Sequence, residues 1–294
     1  MHISVCIKQT PDSASVYVDP ISGQIDAERF VQVLNQADAC AVEAAVRLRE
    51  QHGGSVTVLT VGPADAEGAL RAALALGANK ALRLWNSEAN NWGAFTVATA
   101  LAATMQREAV TGVTPDIILC GDSSSDWSSG VVGPALADQL ALSQVTGVAQ
   151  LSVFQDHEQF VVRLTRKLER GYREILEADL PLLITVTGDM NEPRYPSMPA
   201  HLAALKTHNP VLDPAPFMNT AWYNEGDETT LLEMHTPRPR PKRLAAPDSK
   251  HSAYQRIGEI VSGGATGRKT RLVEGSPEEL AQTLVDFLKA RGFV

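Results

Sequence analysis

Short apolar runs alternate along this chain with segments whose apolar residues return every three or four positions. Residues 3–7 (ISVCI) form a short, mainly apolar run ending at Lys8 and a Pro11-Asp12 turn, the pattern of a fully buried strand. Ala37, Ala41, Ala44, Ala45 and Leu48 then mark one face of a helix, with Asn35 or Asp38 at its cap and Gly53-Gly54 at its end. Residues 55–61 (SVTVLTV) are rich in β-branched side chains and stop at Gly62-Pro63, so they read as a second strand. A helix over 65–76 closes at Gly77, a strand follows over 81–84, and a helix runs from about Trp92 to Ala109. Past Pro115-Asp116 the same alternation gives a strand over 117–120, a polar loop opened by Gly121, and a helix over 133–142.

Repeated strand–helix units with apolar strands imply a doubly wound parallel sheet covered on both faces, a Rossmann-like three-layer α/β/α architecture. Ligands of open parallel sheets bind beyond the carboxyl ends of the strands. Three loops leave such ends here, over 8–12, 61–65 and 121–132, and their convergence predicts a binding crevice. From Val145 the pattern changes. Segments 151–154, 160–165 and 180–187 read as strands that extend the sheet, the first two joined as a hairpin across 155–159. Beyond residue 205 periodicity fades, and residues 206–275 carry many of the 17 prolines. The expected division is therefore an α/β domain over 1–205, then an extended arm and terminal helix over 206–294. Ser276-Pro277-Glu278-Glu279 has the residues of a helix start, and Leu280, Leu284, Phe287 and Leu288 form an apolar face on the helix 278–290. Such an arm either embraces a partner subunit or serves as a solvated linker.

The net charge of −8 argues against attraction of the whole protein to nucleic acid or to an acidic membrane surface. Arg238-Pro239-Arg240-Pro241-Lys242-Arg243 is basic, but no aromatic side chains interleave with it, so it reads as part of a partner-binding arm. Cys6, Cys40 and Cys120 lack metal-ligand spacing and read as small buried hydrophobes in a reducing compartment. The first residues, MHISVCIKQTPD, lack the basic and apolar regions of a signal peptide, and no run approaches the ~20 apolar residues of a membrane span. Expected are a cytoplasmic location, or the mitochondrial matrix in a eukaryote, no metal site and no membrane insertion. The serines of 123–129 lack the G-x-S-x-G turn of a nucleophile elbow.

Four segments, in order, resemble one family. Asn35-x-x-Asp38 with AVEAAVRLRE after it is similar to the first helix of electron-transfer flavoprotein β subunits, and Val61-Gly62-Pro63 with LRAALALGANKAL is similar to their second strand and helix. Val132-Gly133-Pro134, a helix and then Ser143-Gln144-Val145-Thr146 resemble the region of their third nucleotide loop. Most specifically, LPLLITVTGDMNEPRYPSMP resembles the family signature, with Asn191-Glu192-Pro193-Arg194-Tyr195 matching without a gap. The likeness covers about residues 3–205. It implies an electron carrier without a catalytic site, working as a heterodimer. An α subunit binds most of the FAD, a flavin-dependent dehydrogenase delivers electrons, and a quinone reductase receives them.

The resemblance also assigns residues. Cys6, Lys8, Asn35, Asp38 and Val61 would surround an adenine nucleotide, together with Asp126, Trp127, Ser128, Ser129, Gly130, Val131 and Val132 of the third loop. That loop typically reads Arg/Lys-Gln-x-x-Asp-x-Asp-x-x-Gln before Val-Gly-Pro. Here Asp126 matches, whereas Asp122 stands in place of the basic residue, Ser128 in place of the second acid and Val131 in place of the glutamine. AMP, a second FAD as in the electron-bifurcating branch, and a purely structural crevice all remain open. Trp127 either stacks on an adenine or caps the sheet edge. Met198, between Pro196 and Pro199, corresponds to the family's apolar anchor on the dehydrogenase; the other reading is a core methionine beneath a turn. Tyr195 and Pro199 flank it in the docking loop. Glu174, or Glu177 in a shifted register, corresponds to a glutamate that contacts the α subunit. Glu192 and Arg194 are expected to satisfy backbone groups and each other. Two rival functions share the architecture. One is a stand-alone adenine-nucleotide-binding regulator, for which the N-E-P-R-Y loop has no use. The other is a nucleotide hydrolase, which needs a phosphate-gripping cation where Asp122 stands.

Overall fold

A computed structural model describes residues 1–17, 30–110, 112–156, 159–218, 251–261 and 275–290. The chain divides into two units, Met1–Pro237 and Arg238–Val294. In the first, the elements are β1 (His2–Cys6), β2 (Gln9–Pro11), β3 (Gln32–Leu34), α1 (Gln36–His52), β4 (Ser55–Val61), α2 (Glu67–Leu76), β5 (Lys80–Leu84), α3 (Ala94–Val110), β6 (Ile117–Gly121) and α4 (Val132–Gln139). After them come β7 (Ser143–Asp156), β8 (Gln159–Lys167), β9 (Arg173–Asp179), β10 (Leu182–Val186), α5 (Met198–Lys206) and β11 (Val211–Leu212).

Nine strands form one sheet in the order β11-β5-β4-β1-β6-β10-β7-β8-β9, with flanking helices, a three-layer α/β/α arrangement. Pairing is parallel from β11 through β7 and antiparallel from β7 through β9. Successive strand residues serve opposite faces. Ile3 and Val5 pack with Ala41, Ala45 and Leu48 of α1 and Leu70 and Ala73 of α2. Cys6, Leu59 and Leu82 pack with Leu101 and Met105 of α3 and Leu136 of α4. Each fully buried Leu or Ile contributes about 2 kcal/mol on removal from water, so the layers cohere through ordinary burial on both faces.

Strand β1 is the pivot. Moving outward from it, β4 and β5 lie on one side and β6 on the other, so the winding reverses there. Cys6 is level with Leu59 of β4 and with Cys120 of β6, so the three carboxyl ends finish together and leave a gap.

Parts of the fold differ from expectation, and β9 is a strand that was not expected at all. Residues 9–11, expected in a loop, pair antiparallel with 32–34; three residues per strand are too few to show alternation. Strand β7 begins at Ser143, not near 151, because its first residues pair with β10 before the strand turns to pair with β8. Beyond residue 205 the chain still adds β11, where the Arg83 N–H donates to Pro210 O at 3.1 Å and the Trp85 N–H to Leu212 O at 3.0 Å. Met218 is then buried against Ala100 and Ala103 of α3.

In the second unit, α6 (Ala253–Val261) and α7 (Pro277–Ala290) are helical. The first turn of α7 is closed by a reciprocal box: the Ser276 N–H donates to Glu279 Oε2 at 2.9 Å and the Glu279 N–H to Ser276 Oγ at 3.3 Å. Leu280, Leu284 and Phe287 are exposed on α7. The basic stretch 238–243 lies outside the described residues. Among the described residues no helix is long and apolar enough to cross a membrane.

Candidate functional site

The gap at the ends of β1, β4 and β6 is a crevice of about 1740 Å³. Its walls are set by the first turn of α1. Asn35 occupies the N-cap position but makes no capping bond with its side chain. Instead its Nδ2 donates to Ser123 O at 3.0 Å and its Oδ1 accepts from the Ser125 N–H at 3.2 Å. Asp38, only 5% exposed, accepts from the Lys8 N–H at Oδ2 and from the Gly121 N–H at Oδ1, both at 2.8 Å. Two side chains one turn apart thereby tie the ends of β1 and β6 to one helix. Burial pushes the Asp38 carboxyl up to about 7, against the pull of those N–H donors, Asn35 and Lys8.

Cys6 and Cys120 form part of the floor. Burial, and then the Asp38 carboxylate, push the Cys6 thiol up to about 12; burial and then Cys6 raise Cys120 well above the ordinary thiol value. Both are neutral at physiological pH, an apolar floor as expected of them.

Loop 122–131 forms the lip. Lys8 Nζ reaches Asp126 at 2.6 Å, and the Trp127 N–H donates to Asp126 Oδ1 at 2.8 Å. Burial alone would raise Asp126, but hydrogen bonds from Lys8, Ser124 and the Trp127 N–H outweigh it and hold the carboxyl below the usual range. Ser128 has φ 51° and donates from Oγ to Ser124 O at 2.9 Å. Gly130, at φ +62°, takes the left-handed conformation that turns the loop into α4. Gly133 lies on the first turn of α4, and a Cβ there would come within 2.7 Å of Thr185 Cγ2 and 2.8 Å of Cys120 Sγ, so glycine lets α4 seat on the sheet.

Of the residues assigned to nucleotide, Cys6, Lys8, Asn35, Asp38, Val61, Trp127, Ser129, Gly130, Val131 and Val132 line the crevice together. Asp126 and Ser128 are not lining residues; they brace the lip through bonds to Lys8, the Trp127 N–H and Ser124 O. Trp127 is 72% exposed and caps no sheet edge. Sequence reasoning missed Trp85, Trp92 and Phe95, which add aromatic surface to the far wall. The cluster WNSEANNWGAF, with three aromatics in eleven positions of an aromatic-poor chain, was the available signal.

An adenine nucleotide fits these residues. The first N–H groups of α4 have no partner inside the helix, and they belong to lining residues, which suits an anion. Trp127 offers an exposed ring for a base. Asp122 also lines the crevice and opposes negative charge, and Lys8 is already paired with Asp126.

The N-E-P-R-Y segment is held to the middle of α1. Asn191 Nδ2 donates to Cys40 O at 3.0 Å, and Cys40 Sγ lies 3.3 Å from Asn191 O. The expected pairing of Arg194 with Glu192 is replaced by one with α1: Arg194 Nε lies 2.9 Å from Glu43 Oε2, and its Nη1 lies 2.6 Å from Glu50 Oε1. Glu192 contributes its carbonyl, which accepts from Arg47 Nη2 at 3.2 Å. Arginine prefers these partners because Glu43 and Glu50, seven positions apart, stand on one face of α1.

Beyond this anchorage the chain turns outward. Tyr195 is 98% exposed and Met198 69%, so the core-methionine reading is overturned. Met198 opens helix α5 and does not sit in a loop. Ser197 caps the helix by accepting from the Ala200 N–H at 3.3 Å, and Pro199 stands in the first turn, where its missing N–H costs nothing. Glu174 is on β9, with its Oε2 3.9 Å from Arg166 across the strand pair; Glu177, the alternative, is paired with Arg163 at 2.7 Å.

The electron transfer flavoprotein domain family matches residues 23–212, ending on the last residue of β11. Electron transfer flavoprotein subunit beta of Thermoanaerobacterium thermosaccharolyticum is 40% identical over 198 residues, covering 67% of this chain and 72% of that one. Protein FixA of Azotobacter vinelandii is 33% identical over 265 residues, 89% of this chain and 93% of its own. The caffeyl-CoA reductase-Etf complex subunit CarD of Acetobacterium woodii is 36% identical over 199 residues, 67% and 72% of the two chains. With the parallel sheet, the crevice and the anchored N-E-P-R-Y segment in place, these matches show that the chain belongs to the electron transfer flavoprotein family, among its β subunits.

Proposed function

We propose that this chain is the non-catalytic half of a two-chain electron carrier. A partner α subunit holds most of the FAD, a flavin-dependent dehydrogenase docks on the segment around Met198, and a quinone reductase accepts the electrons. The observation that carries this reading is the contrast within one short segment: Arg194 is clamped to α1, while Tyr195 and Met198, one and four residues later, stand in solvent. Exposed apolar side chains on a fixed base suit transient docking, because little freedom is lost on binding, and methionine adapts to more than one pocket. FAD, when bound, supplies one- and two-electron chemistry that no side chain here provides. This chain contributes a rigid platform, the crevice for AMP, and on β9 a carboxylate, Glu174, toward the α subunit.

Co-expression with an α-type, flavin-binding chain tests the proposal. The expected product is a yellow heterodimer that releases FAD and AMP on denaturation. Recovery of this chain only as a colourless protein, with no flavin-bearing partner, would leave the stand-alone regulator as the better reading. A second FAD in place of AMP is favoured by the crevice volume of about 1740 Å³, larger than the roughly 300–1,000 Å³ of common small-ligand sites. Two FAD per heterodimer and no AMP would establish it.

A further inference from the structure

Glu43 is a buried carboxylate in the middle of helix α1, among buried alanine, valine and cysteine side chains. Its side chain is 1% exposed, between Val42 and Ala44 and one turn from Cys40. An apolar residue would fill that position without giving up hydration, so the significance of the carboxylate lies in what it grips. Its Oε2 accepts from both the backbone N–H and Nε of Arg194, at 3.2 and 2.9 Å, and its Oε1 accepts from Arg47 Nε at 2.5 Å. Burial pushes its pKa upward, but the two arginines outweigh burial and hold the carboxyl below the usual range. Arg194 then forks onto the exposed Glu50 at 2.6 and 2.9 Å. Arg49 Nη2 also lies 3.8 Å from Glu50 Oε1, so the two glutamates face three arginines and neither carboxylate is left unpaired.

We infer that Glu43 is a positioning residue for docking: by fixing Arg194 from beneath, it sets the place and direction of the Tyr195–Met198 edge offered to the dehydrogenase. The proposal rests on that edge being the docking site. From Arg194 to Met198 the chain passes only Tyr195, Pro196 and Ser197. Pro196 has a fixed φ, and Ser197 is committed to capping α5. Few soft torsions therefore separate the clamp from the anchor. Docking geometry of this kind alters encounter without altering the environment of a redox group held elsewhere, so its loss appears in the concentration dependence of electron transfer and not in the saturated rate.

The test uses the flavin-loaded heterodimer. A nitroxide label on Met198→Cys reports mobility at the anchor, and steady-state reduction by the dehydrogenase that reduces the wild-type complex is measured on unlabelled protein. Glu43→Gln is expected to loosen the label and raise KM for the dehydrogenase about tenfold, with kcat within about twofold and flavin content unchanged; Glu43→Asp falls between. Arg194→Lys, which keeps the charge but loses the fork, gives the same pattern more weakly and serves as the second variant if Glu43→Gln does not fold. An unchanged label, or a loosened label with unchanged KM while Met198→Ala raises KM, overturns the inference and leaves the docking site standing. If KM is unchanged in Met198→Ala as well, the docking site itself is wrong and the inference falls with it.

Discussion

At its first turn α1 holds loop 121–125 through Asn35 and Asp38, whose oxygens receive backbone N–H groups. In its middle the same helix holds segment 191–194 through Glu43, Arg47 and Glu50, largely with ion pairs. The crevice and the Tyr195–Met198 edge are thus fixed by different chemistry, yet they share a division of labour. The residues that hold are buried or paired, and those on offer, Trp127 in one place and Tyr195 and Met198 in the other, are exposed. Removing a holder is therefore expected to cost stability or the aim of what it holds, and removing an offered residue to cost recognition alone.

The largest expected effect is at Asp38. Asp38→Ala leaves the N–H groups of Lys8 and Gly121 without their acceptor, and at about 1–3 kcal/mol for each buried unpaired donor the variant loses about 3 kcal/mol in urea unfolding. A loss near zero would mean that the crevice is not braced from within. The same carboxyl, followed by its carbon-13 shift, is expected to titrate near pH 7. Its folded-state pKa lies above the unfolded value of about 4, so the folded form retains a proton that the unfolded form has lost. Its contribution to stability then falls as pH rises from about 4 to about 7 and is level above. Glu43 and Glu50, held below the usual range, act in the opposite sense: their contribution is present above about pH 4 and is lost on acidification.

Next in size is Met198→Ala, expected to slow reduction by the dehydrogenase about tenfold while stability changes by less than about 0.5 kcal/mol. A large stability loss there would erase the distinction between holding and offered residues. The smallest effect is Trp127→Ala, which removes one stacking face. AMP affinity measured by calorimetry is expected to fall about fivefold, near the low end of base–aromatic stacking, with unfolding unchanged.

The parallel core was legible because β1, β4, β6 and β10 are largely buried and read as short runs of mainly apolar or β-branched residues. Strand β9 was less visible. Its exposed and partly covered positions alternate as expected of an edge, but Arg173, Glu174, Glu177 and Asp179 mask that alternation in hydropathy. Helix α5 was hidden by Pro196 and Pro199, which suggest a loop until Ser197 is recognised as its cap. The crevice floor followed from strand ends and motif order. The grip on Arg194 did not, because a glutamate four residues before Arg47 ordinarily reads as a surface helix pair, and only the return of residues 188–194 over α1 buries it.

One consequence concerns the length of α1. At 1.5 Å per residue, about 18 Å separate Asp38 from Glu50, and the helix is unbroken between them. It therefore acts as a keel: a tilt imposed at the crevice end carries the Arg194 seat with it. A molecule lodged among the strand ends, even one that never meets an electron, would serve as ballast that keeps the outward-facing methionine on course.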